Sequence, residues 1–453
     1  MGLGTAIILD SLTVLACTVL LVHRLKDLRH SHPAVMYLAF HILVVSLRAV
    51  AVYRGAPPFF SGIVAYTPVT TEEISRAVNY ADIVLIAASI GWLHQAHRKV
   101  RPVTPRGAAV SAGSRPARWR SLNISTISLV VVAAMPFGIY TFLKYAAIPG
   151  SGRLVATYSS TYAILAVTWP GLLLVALVYW YGFRLSLVIP LTGYLLIIGL
   201  QGGQRFRAVL PVILLCQIYL DRRGRRWPRP AMVGLMVLIL LIFFPLKTIG
   251  RQVQAGVPFS QVLRSTQSTF SSSVQGRSGD QAILDQMAMT LSLADQHHRV
   301  FLGRPYVNLL YLPIPRPVWS SKPGLADHIA EISTPDRPMG KTGSVTTLVG
   351  ELYLNFRLFG LILVPYLLAR LTGRIYARAY QQPYLSVPRF TYLILASNMI
   401  QIFRDGLISV PVFMLIQMLP LVVMALLHWR GPRSMRRRLT AMVGQPTLRA
   451  FQA

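Results

Sequence analysis

The residues best suited to chemistry in this 453-residue chain are cations placed beside glycine or proline. Arg205 and Arg207 follow Gly202 and Gly203 in the segment QGGQRFR, where glycine permits a backbone to approach a ligand closely. Arg316 stands between two prolines, which fix the backbone around it. Arginine is always charged and makes paired hydrogen bonds to phosphate. The pattern predicts an anion site built from Arg205, Arg207, Arg316 and Arg404, with Lys322 as an auxiliary cation.

A proton acceptor is a common second requirement of group transfer, and few residues here qualify. Glu351 lies in apolar surroundings and is the first candidate. His328, with Asp327 beside it, is the second candidate. The alternative for Glu351 is a structural ion pair with Arg357 or Arg404, and the alternative for His328 is an ordinary exposed loop histidine.

Further charged residues fall within apolar segments, where an ionisable group costs about 2.5–3.5 kcal/mol or more. Asp10 and Arg48 lie at similar depth on neighbouring segments, so they either bridge each other or belong to a site. Asp82 is open to the same two interpretations. His297 and His298 have no third ligand at a suitable spacing. We therefore expect no metal ion and no cofactor.

The composition around these residues excludes most classes of soluble protein. Hydrophobic residues make up 54% of the chain and charged residues only 13%, with a mean hydropathy of +0.52 and a net charge of +31. Soluble domains carry about 25% charged residues, and disordered chains are poor in hydrophobic ones. A nucleic-acid-binding protein would share the charge but not the hydropathy. The composition therefore predicts an all-α polytopic membrane protein.

About eleven apolar segments are candidates for transmembrane helices, which need roughly 20 apolar residues each. They lie at 3–22, 34–53, 79–96, 122–143, 160–181, 183–200, 206–220, 231–248, 346–369, 390–404 and 407–428. The predicted organisation is a bundle of about eight spans at 1–248, a large loop at 249–345, about three spans at 346–429 and a basic tail at 430–453. The loop contains aromatic residues and an amphipathic stretch at 281–299, so we expect it to fold against the membrane face.

The basic residues alternate between the two sides of these spans. One side collects 26 of the 45 lysines and arginines with only two acids, whereas the other collects 19 with twelve acids. Loops rich in lysine and arginine stay in the cytoplasm. The N-terminus is therefore predicted outside and the C-terminus inside, with the 249–345 loop and the candidate site outside.

Two motifs in the second half of the chain resemble a known family. LGRPYVNLLYLPIPRPVWSSKP at 302–323 and TLVGELYLNFRLFG at 347–360 resemble the Wzy-type oligosaccharide repeat-unit polymerases of bacterial O-antigen and capsule assembly. Those proteins show a Pro-Arg with an aromatic residue and a Lys-Pro in a large periplasmic loop, followed by Gly-Glu-x-Tyr-x-Asn-Phe-Gly at the next span. QGGQRFR is similar to their Gly-x-Arg element. Arg357 stands where the family usually has glycine.

The resemblance implies a GT-C-like, metal-independent glycosyltransferase of the bacterial inner membrane whose site faces the periplasm. It would polymerise repeat units carried on undecaprenyl pyrophosphate. The arginines would neutralise the departing pyrophosphate, Glu351 would deprotonate the acceptor hydroxyl, and Tyr353 and Asn355 would bind sugar hydroxyls. The implied partners are lipid-linked donor and acceptor glycans, anionic lipids and a chain-length regulator protein, with no nucleic acid.

Two other functions remain open at this point. An O-antigen ligase uses the same donor and a similar fold with a lipid A-core acceptor, and the sequence has no signature of the acceptor. A lipid-linked oligosaccharide flippase would need charges through the whole membrane depth and usually an internal repeat, neither of which is apparent.

Overall fold

The structure is a computed structural model. It describes residues 2–25, 28–56, 69–97, 161–200, 206–234, 283–311, 327–334, 346–382 and 384–410, together with short stretches within 252–261 and 314–323 and residues 414 and 418. Within these residues the protein is helical and contains no β-strand. This part of the chain therefore has the predicted all-α class.

The first three spans are α1 (Leu3–Arg24), a composite second span and α4 (Thr71–His97). The second span consists of α2 (Pro33–His41), a π-helical turn (Ile42–Ser46) and α3 (Leu47–Tyr53). It begins sharply because Pro33 occupies the first turn and the His32 ring accepts a hydrogen bond from the Ala34 N–H at 3.1 Å. The α4 helix begins with a capping box, in which Thr70 and Glu73 bond each other's backbone N–H.

The later helices fall into three groups along the chain. The first group follows residue 160 and comprises α5 (Thr161–Tyr181), α6 (Leu185–Leu200) and α7 (Phe206–Arg222). The large loop contains α8 (Ile283–Gln296), α9 (Arg304–Asn308), a 3-10 turn (Leu309–Tyr311) and α10 (Asp327–Ala330). The chain returns through α11 (Thr347–Tyr380) and α12 (Val387–Asp405).

Among the residues that the structure describes, four helical segments are long and apolar enough to cross a membrane: Leu3–Arg24, Pro33–Tyr53, Thr71–Ala96 and Thr347–Tyr380. The α1 helix shows a lipid-facing surface, since Leu12, Leu15 and Val19 are each more than half exposed. The predicted segments at 160–181, 183–200, 206–220 and 390–404 also form helices, α5, α6, α7 and α12. The segment 122–143 and most of 231–248 and 407–428 lie outside the described residues, so the number of eleven and the orientation stay predictions.

Two hydrophobic cores hold the helices together. The first combines α1, the second span, α4, α8 and the first half of α11. The second combines α5, α6, α7, the end of α11 and α12. In the first core the backbones of α4 and α11 are in close contact at Gly91. A Cβ at this residue would come within 2.4 Å of the Tyr366 carbonyl oxygen, so the close approach requires glycine.

The loop helix α8 is inserted between the spans rather than laid on their surface. Every residue from Ile283 to Ala294 except Gln286 is buried. The predicted helix is thereby confirmed, and it is more deeply buried than its amphipathic pattern indicates. The folding of the whole loop against the membrane face stays a prediction. We call this end of the bundle, where α8 meets residue 48 and the beginnings of α4 and α11, the loop end.

At the opposite end of the bundle lie several of the arginine-rich segments that the charge pattern predicts on one side of the membrane. The His30 N–H donates to the Arg226 carbonyl at 2.9 Å, and the Ser31 and Tyr380 hydroxyls lie 2.6 Å apart. Arg389 Nε and Nη2 donate to Asp221 at 2.8 and 2.5 Å. We call this end, built from residues 28–32, 221–226 and 380–392, the basic end. Which end faces the cytoplasm stays a prediction.

Candidate active site at the loop end

Asp295, near the C-terminus of α8, joins the loop to two spans. Its Oδ2 accepts a hydrogen bond from Arg76 Nη1 of α4 at 2.6 Å, and its Oδ1 accepts one from Arg357 Nη1 of α11 at 2.7 Å. The Tyr353 hydroxyl donates to the same Oδ1 at 2.6 Å. The Arg76 and Asp295 side chains are 34% and 33% exposed, so a ligand from outside can reach them.

A second acid continues this cluster along the loop. Glu331 pairs with Arg299 Nη1 and with Arg304 Nη2, each at 3.2 Å. The two halves are connected because Arg357 Nη2 donates to the Arg299 carbonyl at 3.0 Å. We call the six residues the arginine network: Arg76, Arg299, Arg304, Arg357, Asp295 and Glu331. Its four guanidinium groups share two carboxylates, and this surplus of positive charge favours anions.

The backbone of Arg357 is strained. Its φ of 54° and ψ of −146° interrupt α11 in a region that residues with a side chain rarely adopt, whereas glycine adopts such a φ without steric cost. The resembling family carries glycine at this position. Here the guanidinium compensates, since it also donates to the Ala294 carbonyl at 2.8 Å and lies 4.9 Å above the Tyr353 ring. The arginine is thus held in place by contacts that a glycine would not make.

Glu351 is fully buried beneath the turn that follows α12. Its Oε1 accepts the Leu407 N–H at 3.0 Å and its Oε2 accepts the Ile408 N–H at 3.3 Å. Gly406 has a φ of 84°, and a Cβ at this residue would collide with the carboxylate, so the contact requires glycine. Backbone amides hold Glu351 here, and not the arginines that the sequence offered as partners.

Tyr306 of α9 lies beside this carboxylate on the loop side. Its ring stacks on Phe356 with the centroids 6.3 Å apart. Burial and the neighbouring Glu351 carboxylate raise the pKa of the Tyr306 hydroxyl, so it stays protonated near neutral pH. Glu351 is therefore separated from the outside by a neutral tyrosine and by the Gly406 turn.

Tyr353 and Asn355, which the sequence predicts to bind sugars, have protein partners. Asn355 is fully buried, with its Nδ2 donating to the Glu351 carbonyl at 2.8 Å and its Oδ1 accepting the Gly303 N–H at 3.1 Å. The Tyr353 hydroxyl is bonded to Asp295. These contacts fasten the loop to α11, and sugar binding by either residue stays a prediction.

The remaining predicted site residues that the structure describes each have a protein contact of their own. Arg404 Nε lies 3.6 Å from the carboxylate of Asp405, and Lys322 Nζ donates to the Ile314 carbonyl at 2.8 Å. His328 is buried with its ring edge-on to a phenylalanine, so the expectation of an exposed loop histidine is wrong. The structure leaves four side chains undescribed: Arg205, Arg207, Arg316 and Asp327. The predicted clamp as a whole thus stays a prediction.

The residues proposed as an intramembrane pair have other partners. Asp10 Oδ1 lies 2.8 Å from His41 Nε2, and Arg48 donates two hydrogen bonds to Asp285 of α8 at 3.1 and 2.6 Å. The two residues therefore do not bridge each other as one of the two alternatives expected. Asp10 pairs with His41 within the spans, and Arg48 pairs with Asp285 of the loop. The available signals were a histidine inside an apolar span and an acid in the loop helix.

Most of the arginine network was missed from the sequence. Arg76 follows two glutamates at a helix start, and Arg299 and Arg304 lie in a loop, where isolated charges are common. Only Arg357 stood out, because it replaces a glycine of the resembling motif. The other members are brought together only when α8 packs against α4 and α11, which the sequence does not show.

Two internal cavities near the first core are apolar and small. One borders His41 and the other borders Trp92, and their free volumes for the centre of a water molecule are about 10 and 20 Å³. Each holds roughly one water. Neither cavity is large enough for a sugar, so the exposed arginine network is the better candidate site.

The chain was compared with known proteins by sequence and by structure. No family model matches it, and neither the curated proteins nor the solved structures contain a match.

Proposed function

We propose that this protein is a membrane glycosyltransferase that polymerises oligosaccharide repeat units carried on undecaprenyl pyrophosphate. The observation that carries the proposal is the arginine network, in which four partly exposed guanidinium groups share two carboxylates at the loop end. The two polymerase-like motifs supply Arg304 and Arg357 to this network. The proposal retains the orientation predicted from the charges, with the loop end facing the periplasm of a bacterial inner membrane.

The chemistry needs a strong anion-binding surface. In the proposed transfer, the bond between sugar C1 and the pyrophosphate oxygen breaks, and a new bond forms between C1 and an acceptor hydroxyl oxygen. The pyrophosphate leaves with additional negative charge, which fixed guanidinium groups stabilise. Asp295 and Glu331 hold these groups at the surface before the donor arrives. Arg299 and Arg304, at 56% and 62% exposed, are free to turn towards the lipid pyrophosphate.

Glu351 is the proposed base for the acceptor hydroxyl. It lies six positions before Arg357 on the same helix, and its carboxylate is excluded from water by Tyr306 and the Gly406 turn. In the proposed mechanism, the acceptor sugar displaces the Tyr306 ring, so that its hydroxyl reaches Glu351 only when the site is filled. Such gating keeps water from hydrolysing the donor.

The test is a reconstituted polymerisation assay. Purified protein in liposomes, given lipid-linked repeat units, is expected to produce a ladder of glycans. Arg357→Gly keeps a residue suited to the local backbone but removes the guanidinium, and we expect a loss of about 10²–10³-fold in rate. Arg378→Ala, which removes an exposed arginine from the far end of the same helix, is the matched control and should retain the ladder.

Other products would identify other functions. Transfer of the glycan to lipid A-core without lengthening would assign a ligase, which uses the same donor. Movement of the lipid across the bilayer without any new glycosidic bond would assign a flippase. Equal ladders from Arg357→Gly and from Arg378→Ala would remove the arginine network from the mechanism.

A further inference from the structure

Three spans contribute one side chain each to a compact cluster inside the bundle. Asp10 comes from α1, His41 from the end of α2 and Asp82 from α4. His41 Nε2 lies 2.8 Å from Asp10 Oδ1 and 3.4 Å from Asp82 Oδ1, and one ligand atom of each residue lies within 4.8 Å of the others. All three residues are buried. The cluster is separate from the arginine network, since Asp82 lies six positions beyond Arg76 along α4.

The hydrogen bonding of this cluster is incomplete. Asp82 Oδ1 has no hydrogen-bond partner, although its side chain is only 9% exposed and this oxygen faces the His41 ring. A buried carboxylate oxygen without a partner costs free energy in apolar surroundings. Apart from this 3.4 Å approach to His41 Nε2, the oxygen lacks the hydrogen-bond partner that burial demands.

The charge of the cluster is also unbalanced. Two carboxylates and one imidazole lie together inside the spans, where an ionisable group is expensive. The nearby Arg48 is engaged by two hydrogen bonds to Asp285. A divalent cation between the three groups would offset the negative charge of the carboxylates and give Asp82 Oδ1 a partner.

The ligand set selects a class of ion. Imidazole with two carboxylates suits first-row transition metals such as Zn²⁺ and Mn²⁺, whereas Ca²⁺ and Mg²⁺ prefer oxygen ligands alone. Ligands about 2.0–2.2 Å from a tetrahedral ion lie about 3.4 Å apart. The separation between His41 and Asp82 meets this spacing, and that between His41 and Asp10 must open by roughly half an ångström. Three protein ligands leave one position for water.

The backbone supports the same assignment. The π-helical turn Ile42–Ser46 begins directly after His41, and such turns occur frequently at functional sites. We propose that Asp10, His41 and Asp82 bind a divalent transition-metal ion that ties the first three spans together. The site is independent of the proposed glycosyl transfer.

The experiment measures metal in the full-length protein, purified without a polyhistidine tag and reconstituted in nanodiscs. The protein is stripped with EDTA, incubated separately with Zn²⁺ or Mn²⁺, separated from free ions and analysed by elemental mass spectrometry. We expect about one ion per chain in the unchanged protein. Asp82→Asn and His41→Asn should weaken binding by at least about 100-fold, which is the upper range found for indirect ligand contacts.

Two variants keep the test decisive. His94→Asn removes an imidazole from the same helix as Asp82 and should still bind one ion. His41→Cys supplies a thiolate in place of the imidazole, so it should retain Zn²⁺ and lose Mn²⁺. Size-exclusion profiles identify any variant that has not folded, and the metal selectivity of His41→Cys does not depend on activity.

Three results would overturn the proposal. The unchanged protein could hold no stoichiometric Zn²⁺ or Mn²⁺, or Asp82→Asn could bind as much metal as the unchanged protein. A metal-free protein whose infrared spectrum shows a protonated carboxyl band that Asp82→Asn abolishes would assign the cluster to a proton instead. None of these results bears on the glycan ladder, so the two proposals can fail separately.

Discussion

The two ends of the bundle both contain an acid shared with arginine, yet the pairs are built differently. At the basic end the Asp221 side chain is completely buried and Arg389 is only 12% exposed. At the loop end Asp295 holds two arginines while remaining 33% exposed. A buried ion pair is inaccessible to a ligand and can only stabilise the fold, whereas a partly exposed pair can exchange one partner for a ligand.

The surroundings of each pair reinforce this contrast. Arg389 lies 4.5 Å above the Tyr380 ring, and the Tyr380 hydroxyl is bonded to Ser31, so aromatic rings close the basic end. Arg357 occupies a strained backbone conformation and faces a surface with more arginines than acids. Strain of this kind costs about 1–3 kcal/mol and persists where the surrounding contacts enforce it. These differences favour a structural role for the basic end and support the proposed function of the loop end.

The largest effect on stability should come from the sealed pair. Asp221→Asn leaves Arg389 buried with a weakened partner, and the loss of one member of a buried pair costs about 3–5 kcal/mol. Thermal unfolding in nanodiscs measures this change. Asp295→Asn is the matched variant at the loop end and should cost less than about 1 kcal/mol, because exposed pairs contribute little. Equal losses from the two variants would erase the contrast.

A smaller effect is expected from glycines with a positive φ. Gly406→Ala places a Cβ against the Glu351 carboxylate in a backbone region unfavourable to alanine, so we expect a loss of about 1–3 kcal/mol together with loss of the glycan ladder. Gly224→Ala, at the basic end, has a φ of 64° and nothing within 4 Å of the new Cβ. It should lose less stability and keep its activity. If both variants keep the ladder, the position of Glu351 does not matter for transfer.

A pH-dependent effect on stability is expected at the basic end. Burial lowers the pKa of His32 to about 3 from an ordinary value of 6.5. As the pH falls, His32 is therefore protonated in the unfolded chain before it is protonated in the folded protein. Its contribution to the free energy of unfolding is fully present above about pH 6.5 and is lost as the pH drops towards 3.

His32→Asn tests this dependence while keeping a side chain that caps α2. The variant should reduce the slope of stability against pH by up to about 1.4 kcal/mol per pH unit in that window. Unfolding temperatures measured between pH 4 and 8 provide the comparison. An unchanged slope would mean that another group governs acid sensitivity.

The smallest effect on stability is predicted for the most exposed pair. Arg299→Ala breaks an ion pair with Glu331 in which the arginine is 56% exposed, so stability should change by less than about 1 kcal/mol. Activity should nevertheless fall, and the fall should be greater at low ionic strength, where charge attracts the donor most. A variant that loses stability but keeps activity would place Arg299 with the structural pairs.

The sequence predicted elements better than it predicted contacts. Apolar length is a local property, so the helices over 3–22, 34–53 and 346–369 and the loop helix near 281–299 were all accessible from the sequence. Asp295 is shared by Arg76, 219 positions before it, and by Arg357, 62 positions after it, and no local pattern encodes such contacts. Glu351 was singled out for its apolar surroundings, but its backbone partners depend on how α12 ends.

The central claim is that the arginine network binds a lipid-linked pyrophosphate, and direct donor binding tests it. Native mass spectrometry or fluorescence titration in nanodiscs would compare the unchanged protein, Arg357→Gly and Arg378→Ala with an undecaprenyl-pyrophosphate-linked repeat unit. Loss of a charge-assisted contact worth about 1.5–3 kcal/mol should weaken binding of Arg357→Gly by about 10–100-fold. Arg378→Ala should bind as the unchanged protein does. Equal affinity of all three proteins would contradict the account.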